Sequence, residues 1–170
     1  MTASTALLVD AFGRIRETVR DTVTGLSPDE LTARLDPEAN SIAWLVWHLT
    51  RVQDDHIADA AGTEQVWTEE GWDERFALPL PTAATGYGHS SAEVAEVRGL
   101  SPQTLIGYHD AVHDRTVSYL GGLSDADLGR GVDTSWTPEV TLGVRLVSVA
   151  ADDLQHAGQA ALIRGVLRRR

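Results

Sequence analysis

The sequence predicts an all-α protein built around four long helices, and three observations lead there. In four segments apolar residues recur every three or four positions. No segment alternates apolar and polar residues long enough for a half-buried strand, so strand content is expected near zero. A single unpatterned stretch, residues 63 to 100, separates the first pair of helices from the second, as a bundle with one long crossover requires.

The first helix covers residues 5–24, with Leu8, Phe12, Ile15, Val19 and Val23 on one stripe and Gly25 ending it. "GLSPDEL" follows: Ser27 is placed to cap a short second helix, Pro28 fits its first position, and Glu30 completes a capping box. Asn40 is the expected cap of the next long helix, "SIAWLVWHLTRVQDDHIADAAG", in which Trp44, Leu45, His48, Leu49, Val52 and His56 keep a helical period and Gly62 marks the end. Between 63 and 100 the period is lost among Trp67, Trp72, Pro79, Pro81 and the glycines of "TGYGHS", with one short helix expected at 91–97, capped near Ser90. The third long helix, 102–120, carries Leu105, Tyr108, Val112, Thr116 and Tyr119. "GLSDADL" at 122–128 echoes "GLSPDEL" and implies a second capped turn. From Thr141 the last helix places Leu142, Leu146, Val149, Asp153, His156, Ala160 and Ile163 near one face.

With 170 residues, 42% hydrophobic and 23% charged, the chain suits one domain spanning 1–170. No apolar run is long enough for a bilayer, and the start lacks the basic segment of a signal peptide, so a cytoplasmic protein with no membrane association is expected. A net charge of −11 disfavours nucleic acid. The one basic cluster, Arg164 with Arg168, Arg169 and Arg170, reads as a solvated helix end. All fourteen basic residues are arginine and there is no cysteine. Schiff-base chemistry, cysteine nucleophiles and thiolate-bound metals are thereby excluded, leaving His, Asp and Glu as metal ligands.

Asp152 and His156 stand four apart on the last helix, so both side chains share a face one turn apart, with oxygen and nitrogen donors suited to zinc or another first-row divalent ion. His48 is an ionisable group inside the apolar "WLVWHL". Two readings are open for it: a core imidazole satisfied by hydrogen bonds, or the third corner of an open His₂Asp site. Asp152 and Asp153 have the alternative of facing solvent. His109 and His113 form a rival pair with the same spacing, read as boundary residues. His56 either lines the same cavity as a proton carrier or faces water. His89, in "GYGHS", is a surface-loop residue or a substrate contact, and Gln159 either orients a ligand or packs. Of the five tryptophans, Trp44 and Trp47 flank His48, while Trp67, Trp72 and Trp136 fall in connections, where aromatic residues wall a pocket or meet a partner.

"NSIAWLVWHLTRVQDDH", "GYGHSSAEVAEVR" and "ADDLQHAGQAALIRG" together resemble the DinB/YfiT-like superfamily, especially its mycothiol-associated actinobacterial branch. The resemblance implies an up-down-down-up four-helix bundle and a divalent metal, zinc or nickel, held by His48, Asp152 and His156. Asp152 stands where many members have histidine and mycothiol-dependent maleylpyruvate isomerase has glutamate, one methylene longer. It also implies a low-molecular-weight thiol such as mycothiol as cosubstrate and, together with the aromatic residues, a homodimer. The function expected is a metal-dependent thiol S-transferase or isomerase-like enzyme acting on a small electrophile. Two alternatives are a non-catalytic ligand-binding or stress-response protein, and a metal-dependent hydrolase with His56 as its weakly supported base.

Overall fold

The computed structural model describes residues 1–169, so Arg170 of the basic cluster lies outside the described residues. Four long helices are present: α1 (Ala3–Val23), α3 (Ile42–Ala61), α7 (Pro102–Gly121) and α8 (Leu142–Leu167). Each begins at a hydroxyl cap, the side chains of Thr2, Ser41, Ser101 and Thr141 accepting from the backbone N–H three residues on. Ser41, not Asn40, caps α3; the hydroxyl one residue later is the one in extended geometry facing the Trp44 N–H. Gly62 ends α3 in the left-handed conformation, φ 67°, which favours glycine.

Side-chain contacts fix the helix directions. Arg164 near the end of α8 donates to the carbonyls of Thr22 and Thr24 at the end of α1, so these two run parallel. Thr50 meets His109, Gln53 meets Thr116 and Ala60 meets Tyr119, so α3 and α7 run parallel to each other. His48 lies beside His156 while His56 meets Arg145, which makes α3 antiparallel to α8. The order is therefore up-down-down-up, with α1 and α3 each packed on both α7 and α8. The core between them holds Phe12, Ile15, Val19, Leu45, Leu49, Leu105, Val112, Leu146 and Val149, each at most 1% exposed.

Parallel neighbours need a return connection along the bundle, and residues 62–101 supply it. The expected irregular crossover contains three short helices: α4 (Val66–Glu69), α5 (Trp72–Phe76) and α6 (Ser91–Glu96), the last with its capping box at Ser90 and Glu93. Its anchor is a charged pair within α3. Arg51 is fully buried and donates to the Ala84 carbonyl, Gln65 Oε1 and the Tyr108 hydroxyl, 3.7 Å from Asp54. Asp54, also buried, accepts from the Val66 and Trp67 N–H groups and the Tyr108 hydroxyl.

The "GLSPDEL" segment forms α2 (Pro28–Thr32) with the Ser27–Glu30 box as expected. Its echo stays a capped turn, Ser124 donating to Asp127, followed by a 3₁₀ turn at Asp127–Gly129. Strand content is not quite nil, because β1 (Gly131–Asp133) and β2 (Val140–Thr141) form a short antiparallel hairpin ahead of α8. Among the described residues no helix is long and apolar enough to cross a membrane.

His109 and His113 are not boundary residues: they are 1% and 8% exposed. Thr50 spends its only proton on the Val46 carbonyl, so the His109 Nδ1–H must donate to Thr50 Oγ1. Burial holds His109 neutral, its pKa lowered from 6.5 to about 3. Unfolded chains take up a proton at this residue below about pH 6.5 that the fold refuses until about pH 3, so stability falls on acidification through that window. His109→Gln is expected to flatten the slope of unfolding free energy against pH between 4 and 6 by up to about 1.4 kcal/mol per unit in urea melts. Asp54→Ala, which leaves Arg51 buried without its carboxylate, is expected to cost about 3–5 kcal/mol in the same melts.

Candidate metal centre

The site forms where α3 and α8 run side by side. Thr141 starts α8, a helix of 26 residues that turns Asp152 and His156 toward α3. One nitrogen of His48, one of His156 and one Asp152 oxygen all lie within 4.8 Å of one another. The two imidazole rings meet edge to face, centroids 4.8 Å apart, and His156 Nε2 is 3.6 Å from Asp152 Oδ1.

Both imidazoles are set in the tautomer a metal needs. His48 Nδ1–H donates to the Thr85 carbonyl at 2.6 Å, and His156 Nδ1–H donates to Gln159 Oε1 at 3.0 Å. Each Nε2 is left with its lone pair, the arrangement in which an outer hydrogen bond fixes ring orientation and raises basicity. Burial pushes the His48 pKa below its ordinary value, against the Thr85 bond that raises it, so the ring is neutral near pH 7. Asp152 Oδ2 is buried and has no hydrogen-bond partner. A carboxylate with an orphaned buried oxygen, grouped with two imidazole lone pairs, fits a divalent ion, since such a group is costly to bury without a cation or donor.

The neighbouring groups are ordered around His48. Trp44 stacks on it at 4.5 Å and 17°, and donates its indole N–H to His89 Nδ1 at 3.2 Å. His89 in turn stacks on Trp47, so the loop histidine supports the wall behind His48 and is held from two sides. Gly86 passes so close that a Cβ there would sit 2.5 Å from His48 Nδ1, and its φ is +98°, which side chains rarely adopt. The glycine signal was visible in "TGYGHS", but neither the Thr85 carbonyl nor the approach of Gly86 to His48 has a sequence signature.

Asp153, one residue from Asp152, points the opposite way. It is fully buried, both oxygens lack partners, and burial followed by the Asp152 charge holds its carboxyl well above the usual range, hence protonated. His109 and His113 contribute nothing here; among the described residues the only grouping of three or more metal-ligating side chains is His48, Asp152 and His156.

A cavity of about 570 Å³ opens beside the cluster, bounded by α3, α8, the Thr85–Tyr87 segment and the hairpin. Apolar walls come from Val52, Val140, Val144 and Val149, and exposed Trp136 stands at its edge. His56 lines it too, with Arg145, a residue the sequence reading passed over although it falls seven positions before Asp152 on the same face of α8.

The bundle order and the His/Asp/His cluster between its second and last long helices define a protein of the DinB-like superfamily. The chain belongs to the mycothiol-S-transferase family, whose model matches residues 7–169. It is also similar over 100% of its length to a conserved protein from Enterococcus faecalis known from a crystal structure, with 32% identity, a TM-score of 0.92 and 99% of that chain covered. No curated protein matches it.

Gly86→Ala is expected to displace His48 and break its bond to Thr85. Nitrogen NMR of the imidazoles should show loss of the fixed His48 tautomer, with a stability cost of about 1–3 kcal/mol.

Proposed function

We propose that the chain, as one domain, is a divalent-metal-dependent thiol S-transferase that joins a low-molecular-weight thiol, mycothiol, to a small electrophile. The observation that carries this reading is the pairing of two imidazole lone pairs and an unpartnered carboxylate oxygen with an adjoining cavity of about 570 Å³. His48, Asp152 and His156 are the proposed ligands, and zinc or nickel suits their nitrogen and oxygen donors. Bound there, the ion would act as a Lewis acid toward the thiol and lower its pKa. The family match supports the thiol class.

The chain's own residues do the rest. Thr85 and Gln159 hold the imidazoles in orientation by taking their Nδ1 protons. Trp44 covers one face of His48 and limits water there. Apolar Val52, Val144 and Val149 shelter the reacting groups, and with no cysteine in the chain the sulfur nucleophile arrives with the cosubstrate. Val144, Val147, Leu154 and Leu162 are exposed along α8 at helical spacing, which supports assembly as a homodimer in the cytoplasm as part of the same proposal.

Protein purified without chelator is expected to hold about one divalent ion per chain by elemental analysis. His48→Ala and His156→Ala should each lose it, and metal-loaded wild type should consume the free thiol of mycothiol in the presence of a panel of small electrophiles. Full metal content in both variants, or consumption equal after metal removal, would defeat the assignment.

A further inference from the structure

Across the cavity from the metal centre, Arg145 is held in place from two directions. Its Nη2 donates to Asp133 Oδ2 on the hairpin at 2.9 Å and its Nη1 donates to His56 Nδ1 on α3 at 2.7 Å. The guanidinium has five N–H groups, so three remain after these two bonds. Its side chain is only 14% exposed and lines the cavity.

The bond to His56 determines what that histidine can do. A guanidinium only donates, so His56 Nδ1 must accept, and its proton sits on Nε2. Burial, and then the Arg145 charge, keep the ring neutral. With the Nδ1 lone pair occupied, His56 is poorly placed as a base. It offers instead an Nε2–H donor at the cavity wall, for which no acceptor is found among the described residues.

We propose that Arg145 and His56 together form a donor site for an uncharged acceptor oxygen, a carbonyl or amide oxygen, carried by the electrophilic substrate. This rests on the thiol-transferase reading above. A carboxylate is the poorer occupant, because Asp133 already pairs with Arg145 and Asp55 also lines the cavity. A neutral oxygen takes up N–H donors without meeting those two charges. The spacing also suits it: His56 lies eight residues from His48, about 12 Å of helix rise. The sulfur–carbon bond, the reach from the reacting carbon to its oxygen and the hydrogen bond to the donors together cover more than half of that distance.

The test compares bromoacetamide, which carries the oxygen, with allyl bromide, which lacks it, in metal-loaded wild type, Arg145→Lys and His56→Leu. Lysine keeps the charge but cannot hold Asp133 and His56 in one plane, and His56→Leu, at a residue whose side chain is 37% exposed, guards against a folding defect at Arg145. Both variants should retain about one ion per chain while the ratio of kcat/KM for bromoacetamide over allyl bromide falls about tenfold or more. An unchanged ratio in variants that retain metal overturns the donor site, and so does an equal loss with both electrophiles. The transferase reading is judged separately by the electrophile panel above, and if wild type turns over neither bromide the donor site is judged by binding alone. Unreactive propionamide should then shift the His56 Nε2–H resonance in wild type and leave it unmoved in Arg145→Lys; no shift in wild type overturns the proposal.

Discussion

The orientation of His48 depends on a charged pair that begins one turn further along the same helix. Arg51 and Asp54 lie inside α3, where burying two charges is costly unless nearly every donor and acceptor is used. The crossover supplies the partners: Gln65 and the Ala84 carbonyl for Arg51, the N–H groups of Val66 and Trp67 for Asp54. Helix and crossover therefore satisfy each other, and neither is complete alone. Because Arg51 grips Ala84, the next carbonyl, that of Thr85, is delivered to His48 Nδ1. The His48 tautomer is thus set, two links away, by a buried salt bridge.

The last helix shows how one turn of geometry separates function from core. Consecutive residues on a helix point about 100° apart. Asp152 reaches the cavity and Asp153 the bundle interior, where it is neutral and unpartnered. Two identical side chains in sequence thereby meet different surroundings, and burial keeps the second of them neutral. Arg145, seven positions earlier, returns to the Asp152 face, so a single stripe of α8 turns a carboxylate and a guanidinium into one cavity.

What the sequence disclosed follows from the range of the forces involved. The four long helices were legible because their apolar period is local, and the capping boxes at Ser27 and Ser90 because they span three residues. His48 and the Asp152–His156 pair were legible as candidates for the same reason: an ionisable group in an apolar run, and a four-residue spacing. Their convergence was carried by resemblance, since nothing within α3 dictates what α8 presents to it. Thr85, Gly86 and Arg145 stayed hidden because their roles are made by contacts 12 to 89 residues apart in the chain. Burial of His109 depends on the facing Thr50, 59 residues away, which no local pattern announces, and Asn40 and Ser41 compete for the α3 cap because both residue types cap well.

The shorter acid at position 152 finds its explanation in packing. Aspartate reaches one methylene less than glutamate, which would strand it if α8 stood at a helix separation set by large residues. The inward side of α8 carries Ala150, Ala157 and Ala160, each 7% exposed or less, on either side of the Asp152–His156 turn, with the larger Leu146, Val149 and Ile163 further along. Interaxial distance is governed by the side chains at the contact, and small ones permit close approach. Asp152 and His156 then bring their donor atoms within 4.8 Å of the His48 nitrogen without the extra methylene. Where α8 carries alanine on either side of this turn, the shorter carboxylate is enough to complete the cluster.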